Sequence, residues 1–269
     1  MVVVGVVLLA VAVAVVALAP RGLTRWAWTI DRPRTALAAW SGSVVLGVVG
    51  FVGGIALVAL AGRPADDPFG IVGSPTHGVH LVVAVAGVAA FVIAVRVRPG
   101  PEHVAVREAM RAGAAPHRLV DGTIVAVVEA DHALACAVPG RSGGVLVSSG
   151  LRARLDDREF AAVVAHEAAH LRGRHALVVA VAESIERAVP WVPGARAMAR
   201  STRVLVEFAA DDAAARRTGA DVVARAVLAA DSASALTRVR VARLVGPSSP
   251  DPRRDPSPRR DPDPRQGES

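Results

Sequence analysis

Two histidines and a glutamate lie close together in "VVAHEAAHLRGRH" at residues 163–175, and a third histidine follows five residues later. His166 and His170 are four residues apart, so on a helix both imidazoles project from one face and can bind the same zinc ion. Glu167 lies beside them and can take a proton from a water held by that ion. The spacing predicts a hydrolytic zinc site, and the competing interpretation is a helix whose polar residues face solvent.

A hydrolytic zinc site needs a third protein ligand. His175 falls one residue short of the third histidine in the pattern HExxHxxGxxH, although Gly173 fits that pattern. Glu207 and Asp211 lie one helical turn apart in "VLVEFAADDAAARR" at residues 204–217. Glu207 is therefore predicted as the third ligand, and Asp211 as the acceptor for a ligand histidine's ring N–H. The alternative is that both acids form the polar edge of an amphipathic helix.

Local patterns predict the elements that must hold these residues. Asp156 and Glu159 have the spacing of a capping box at the start of the site helix. Short Val-rich segments at 123–129 and 144–148 predict strands. "LACAVPGRSGG" between them reads as a strand that runs into a turn. We therefore expect a small antiparallel sheet or hairpin.

Two further helices are predicted at about 195–217 and 221–244. Gly219 and Gly246 follow them in the positions where C-terminal caps occur. The intervening segment 176–193 is apolar but carries three charges, which predicts a helix that lies at a membrane interface or lines a groove.

The composition indicates a membrane protein, because 52% of the 269 residues are hydrophobic. Apolar segments at about 2–19, 38–61 and 78–95 are each long enough to cross a bilayer. A competing interpretation of the first segment is a cleaved signal peptide. Residues 1–98 are thus predicted as a transmembrane region, 99–246 as the catalytic domain, and the Pro- and Arg-rich segment 247–269 as a disordered tail.

Arginines set the predicted orientation. The link between the first two spans contains four of them, and four more follow the third span, whereas the link between the second and third spans contains only Arg63. Positively charged loops remain in the cytoplasm, which places the N-terminus outside and the catalytic domain in the cytoplasm at the plasma membrane. The arginines form no basic stripe with aromatic residues, which excludes a nucleic-acid surface. A single cysteine, Cys136, excludes an intrachain disulfide and a cysteine-based zinc cluster.

The segments "VVAHEAAHLRGRH", "EFAADDAAARR" and "CAVPGRSGGVLVSSGLRARLDDREFAAVVAHE" together resemble the membrane-bound zinc peptidases of the BlaR/MecR sensor type. They resemble, more distantly, HtpX and the CAAX-prenyl endopeptidases. The resemblance covers about residues 120–217 and implies an α+β zincin-like domain of the gluzincin type. The sensors also carry an extracellular penicillin-binding domain, which we do not expect from this sequence, so the resemblance does not imply that the chain senses a β-lactam.

The resemblance implies one Zn²⁺ per chain, with His166, His170 and Glu207 as ligands and Glu167 as the general base. Asp211 would orient a ligand, and the role of His175 stays open between a functional contact and simple packing. The expected function is hydrolysis of peptide bonds in membrane-associated or cytoplasmic regulatory proteins, such as a repressor. The alternative is a non-catalytic or self-cleaving membrane protein that acts as a scaffold or in signalling.

Overall fold

The computed structural model describes residues 3–8, 10–11, 14, 18, 28–61, 117–118, 122–140, 144–188, 190–191, 194–231 and 233–246. The helices are α1 (Trp28–Asp31), α2 (Pro33–Ala61), α3 (Ser149–Arg152), α4 (Asp157–Arg172), α5 (His175–Ala188), α6 (Ala195–Thr218), α7 (Ala220–Ala230) and α8 (Ala235–Val245). The strands are β1 (His117–Arg118), β2 (Ile124–Val128), β3 (Ala135–Val138) and β4 (Gly144–Ser148). The described part is therefore mostly helical with one small sheet, as the sequence predicts.

The sheet is mixed, so the prediction of an antiparallel sheet is wrong for its central pair. The strand order is β1-β2-β4-β3. Strands β3 and β4 form the predicted antiparallel hairpin, with Cys136 opposite Leu146. Leu146 also lies opposite Ala126 of β2, and this pair is parallel. After β2 the chain crosses to the opposite edge of the sheet, where it forms β3. It then turns back as β4, which lies between β2 and β3 and is parallel to β2.

Helix α4 begins where the capping box predicts. The Asp156 carboxylate accepts the backbone N–H of Glu159 at 2.7 Å, and the Glu159 carboxylate accepts the backbone N–H of Asp156 at 3.1 Å. The helix buries alanine and valine side chains between the sheet and helix α7 in the main hydrophobic core. The largest members of this core are Val125, Val145, Val147, Leu151, Leu155, Val163, Val164, Val222, Val223 and Val227. Site helix and sheet are thus held in one packed unit.

The helix predicted at 221–244 is two helices, α7 and α8. The Asp231 carboxylate accepts the backbone N–H groups of Ala233 and Ser234 at 3.0 and 3.2 Å. The Ser234 hydroxyl then caps α8 by accepting the N–H of Leu236 at 3.1 Å. Short polar side chains that bond to nearby backbone end a helix and start the next one. Gly219 (φ 98°) and Gly246 (φ 72°) terminate α6 and α8, which confirms both predicted caps.

Among the described residues, one helix is long and apolar enough to cross a membrane, Pro33–Val58 within α2. It begins five residues before the predicted span 38–61, because Pro33 fits the first turn of a helix. The predicted span 78–95 and the tail 247–269 lie outside the described residues, as does much of the span 2–19.

The first three turns of α2 pack against helices α5 and α6. The buried contacts are Ala36 and Leu37 with Leu205, Val206 and Ala209 of α6, and Trp40 with Met198 and Ala199 of α6 and Ala182 of α5. Because successive residues of α2 meet earlier residues of α6, the two helices run antiparallel. Beyond Val44, the side chains of Val45, Leu46, Val49 and Phe51 are exposed. The apolar helix therefore leaves the domain near the N-terminal end of α6.

Candidate metal centre

Helices α4 and α6 bring three predicted ligands together. The Nε2 atoms of His166 and His170 are 3.1 Å apart. One Glu207 carboxylate oxygen is 3.4 Å from His166 Nε2, and the other is 3.6 Å from His170 Nε2. These residues form a group that can hold a metal ion, with one ligand atom from each.

The donor set and its spacing fit zinc. In a tetrahedral site with metal–ligand distances near 2.05 Å, neighbouring ligand atoms are about 3.3 Å apart. The observed separations of 3.1 to 3.6 Å bracket that value. Two imidazoles and one carboxylate leave a fourth position open, as in catalytic zinc sites rather than closed structural ones. The cluster thus has the composition and the size of a hydrolytic zinc centre.

Asp211 lies where the sequence predicts an orienting carboxylate. Its Oδ1 is 3.0 Å from His166 Nδ1, on the opposite side of the ring from the metal-facing Nε2. The Asp211 side chain is completely buried, whereas that of its neighbour Asp212 is 27% exposed. A carboxylate on this nitrogen fixes the ring orientation and keeps Nε2 free to bind metal.

Sequence reasoning missed Arg240, which reaches this cluster from helix α8. Its guanidinium donates to both carboxylate oxygens of Asp211, at 2.6 and 2.8 Å, and its Nη1 lies 3.2 Å from Glu207. The arginine side chain is only 14% exposed. Thr237 and Leu244 lie three residues before and four after it, on the same inward face. The sequence did contain a signal for Arg240, because an arginine among the inward-facing residues of a predicted helix needs a buried partner.

His175, whose role the sequence left open, contacts the second ligand histidine. Its Nδ1 is 3.1 Å from Nδ1 of His170, and the two rings meet edge to face at 85°. The contact involves the nitrogen of His170 that points away from Glu207. His175 therefore does not lie in the ligand position that the HExxHxxGxxH pattern gives to a third histidine.

Burial and charge give the two histidines of this cluster, His166 and His170, different proton affinities. Burial opposes a charge on His166, but hydrogen bonds to Asp211 and Glu207 outweigh it and raise the pKa of His166 to about 9. Burial, followed by repulsion from His166, lowers the pKa of His170 to about 4. Burial favours the neutral Glu207 carboxyl, yet the contact with His166 prevails and lowers its pKa to about 2. At neutral pH the metal-free cluster holds an imidazolium between two carboxylates, beside a neutral imidazole.

Glu167 lies half-buried at the centre of this charge distribution. Burial raises the pKa of its carboxyl, while the positive charge of His166 acts in the opposite direction. The backbone N–H of Ala137, in strand β3, donates a hydrogen bond to the Glu167 carboxylate. A carboxylate with a raised pKa can both take and return a proton near neutral pH.

The three predicted ligands open into a groove of about 2150 Å³. Strand β3 forms one wall along residues 135–138, and helix α5 forms another with Val179, Ala180 and Glu183. Val223 and Val227 of α7 line a further, apolar part. Helix α5 is thus groove-lining, one of the two alternatives predicted for residues 176–193. Small-molecule pockets are usually about 300–1,000 Å³, so the groove has room for a longer chain.

Comparison with known proteins supports this chemistry. A family model described as Peptidase family M48 matches residues 102–238, just over half of the chain. The match includes the site helix, Glu207 and Asp211, and it ends two residues before Arg240. No curated protein and no solved structure matches the chain significantly.

Proposed function

The chain belongs to peptidase family M48, a family of zinc metallopeptidases, and from that premise we propose that it is a membrane-bound endopeptidase with its active site in the cytoplasm. The observation that carries the proposal is the convergence of His166, His170 and Glu207 at zinc-like separations beside the half-buried Glu167. The narrower resemblance to the BlaR/MecR sensors is not addressed by the family match and stays a prediction.

In this proposal His166, His170 and Glu207 hold the zinc. When bound, the ion supplies Lewis acidity for the scissile carbonyl and lowers the pKa of a water molecule. Glu167 accepts the proton of the attacking water and later donates it to the leaving amine. The Ala137 N–H keeps the Glu167 carboxylate oriented through this exchange.

Strand β3 is suited to hold an extended peptide next to Glu167. It pairs with β4 on one side only, and within the described part of the chain its other edge borders the groove. Apart from the Ala137 N–H, which is bonded to Glu167, an edge without a partner strand offers backbone N–H and C=O groups that a substrate segment of any sequence can pair with. Protein substrates therefore suit the groove, and the sequence preference would depend on the flanking side chains.

The proposed topology rests on helix α2. Its first turns pack on the catalytic domain, and residues 45–61 continue as 17 helical residues, about 25 Å long, close to the roughly 30 Å of a hydrocarbon core. Residue 33 and the catalytic domain then lie on the same side of the membrane, which the arginine distribution predicts to be the cytoplasm. Gly5 packs closely on Gly54 and Val58, as two adjacent antiparallel spans would at a small residue.

Substitution of the general base tests the catalytic proposal. Glu167→Gln should keep one zinc per chain but reduce cleavage of a labelled casein by about a hundredfold to ten-thousandfold, because an amide cannot accept the proton. Glu129→Gln, the same change at an exposed glutamate that does not line the groove, is the matched control and should stay active. Zinc is measured in parallel on the full chain in detergent.

Each outcome has a separate meaning. A Glu167→Gln variant as active as the parent would exclude Glu167 as the base. Full zinc stoichiometry and affinity in Glu207→Ala would exclude Glu207 as the third ligand. A parent chain that binds zinc but cleaves neither casein nor itself would favour the non-catalytic alternative.

A further inference from the structure

In both His166 and His170, Nε2 faces the metal centre and Nδ1 faces away from it. Each Nδ1 contacts another side chain, but the two side chains differ. His166 Nδ1 faces the Asp211 carboxylate at 3.0 Å, which is a common way to orient a zinc ligand. His170 Nδ1 faces a third imidazole, that of His175, at 3.1 Å. No role has yet been given to the contact between His170 and His175.

The positions of the protons follow from the geometry. His170 presents Nε2 to Glu207 and His166, so as a metal ligand it must carry its proton on Nδ1. That N–H needs an acceptor, and His175 Nδ1 lies within hydrogen-bond distance. His175 must then be neutral at Nδ1 and carry its own proton on Nε2.

The connection between α4 and α5 is shaped to bring the His175 ring to this place. Helix α4 ends at Arg172, and Arg174 has φ 48°, the only positive φ at a non-glycine residue in the described part of the chain. Non-glycine residues adopt this conformation at an energetic cost, so the surrounding structure must hold it. A side chain at Gly173 would overlap the His175 ring, which explains glycine at a φ of −78° that any residue can adopt.

We propose that His175 is a positioning residue, which accepts the Nδ1–H of His170 and thereby fixes that ligand's tautomer and ring orientation. The inference rests on the proposed function, because it takes His170 as a zinc ligand. The two ligand histidines are then oriented by different groups, His166 by an ionised carboxylate and His170 by a neutral imidazole.

Zinc affinities of His175 variants distinguish the proposed acceptor role from a role in packing alone. His175→Phe fills a similar volume without an acceptor, whereas His175→Asn and His175→Asp offer an oxygen acceptor on a smaller side chain. If the acceptor matters, Phe should weaken zinc binding by about 10–100-fold, and Asn or Asp should stay closer to the parent. If only packing matters, Phe should be the best tolerated of the three.

The experiment measures the zinc dissociation constant of the full chain in detergent by competition with a chelator, so that no substrate is required. His132→Phe, the same change at an exposed histidine, is the matched control. Unfolding midpoints without metal show separately how much each variant disturbs the fold. The Co²⁺-substituted proteins report ligand geometry through their visible spectra, and Phe should alter that spectrum more than Asp.

Zinc binding by His175→Phe as tight as in the parent would overturn the inference while leaving the proposed function intact. Equal weakening in Phe, Asn and Asp would also overturn it, because the loss would then not depend on an acceptor at this position. Zinc retained in full by His170→Ala would show instead that the ligand assignment itself is wrong, and the proposed function would fail with it.

Discussion

Arg240→Met tests whether the buried ion pair behind the metal centre stabilises the catalytic domain. The guanidinium makes two short contacts with Asp211, whose side chain is 0% exposed, and a third with Glu207. Methionine keeps much of the length and apolar volume of arginine but provides no charge and no donors. The variant therefore leaves Asp211 buried with His166 as its remaining charged partner.

The expected loss follows from burial. Removing one partner of a buried ion pair typically destabilises a protein by about 3–5 kcal/mol, since the other charge stays buried with less compensation. Arg203→Met is the matched control, because Arg203 pairs with Glu183 at 2.7 Å but is 54% exposed. Exposed pairs contribute about 0.2–1 kcal/mol. The two substitutions have the same chemistry and differ in solvent exposure.

Thermal unfolding of the metal-free chain in detergent provides the assay. For a domain of 150–250 residues, 1 kcal/mol lowers the midpoint by about 2–4 °C, so Arg240→Met should lower it by about 6–20 °C. Arg203→Met should lower it by at most about 4 °C on the same scale. Similar small shifts for both variants would refute the claim that Arg240 compensates a buried charge.

Two further predictions concern protonation and topology. The pKa of His166 is raised to about 9 in the metal-free protein, so its contribution to stability is fully present below its unfolded pKa of about 6.5 and lost as the pH rises through 9. The unfolding temperature measured with EDTA should therefore decrease as the pH is raised from 6.5 to 9.5. His166→Gln should remove that pH dependence. Reporter fusions at residues 70 and 150 should lie on opposite sides of the membrane, and the same side for both would contradict the three-span topology.

The features that the sequence predicted well depend on contacts between near neighbours in the chain. The capping box joins Asp156 to Glu159, and the ligand pair joins His166 to His170, so helical spacing alone places both. Glu207 required one further step, because its position near the site depends on how α6 packs on α4. Its spacing to Asp211 supplied that step, since both acids had to share a helix face.

The features that the sequence missed depend on distant segments. The parallel pairing of β2 with β4 is decided by where β3 lies in the sheet, which no residue of either strand encodes. Arg240 contacts His166 across 74 residues of chain, and its own neighbourhood shows only an arginine on an inward helix face. The split between α7 and α8 is an exception, because Asp231 and Ser234 are local signals that favour helix ends and could have predicted it.

The antiparallel packing of α2 on α6 also sets a distance. Glu207 lies twelve residues beyond Ala195 in the same helix, about 18 Å along its axis, and the apolar part of α2 emerges near the Ala195 end. Under the proposed topology the metal centre is therefore held above the bilayer at a height of at most about 18 Å. An extended chain spans that height in about five or six residues. The packing of α2 on α6 would thus restrict cleavage to peptide bonds at a suitable distance from the membrane, in addition to any preference for substrate side chains.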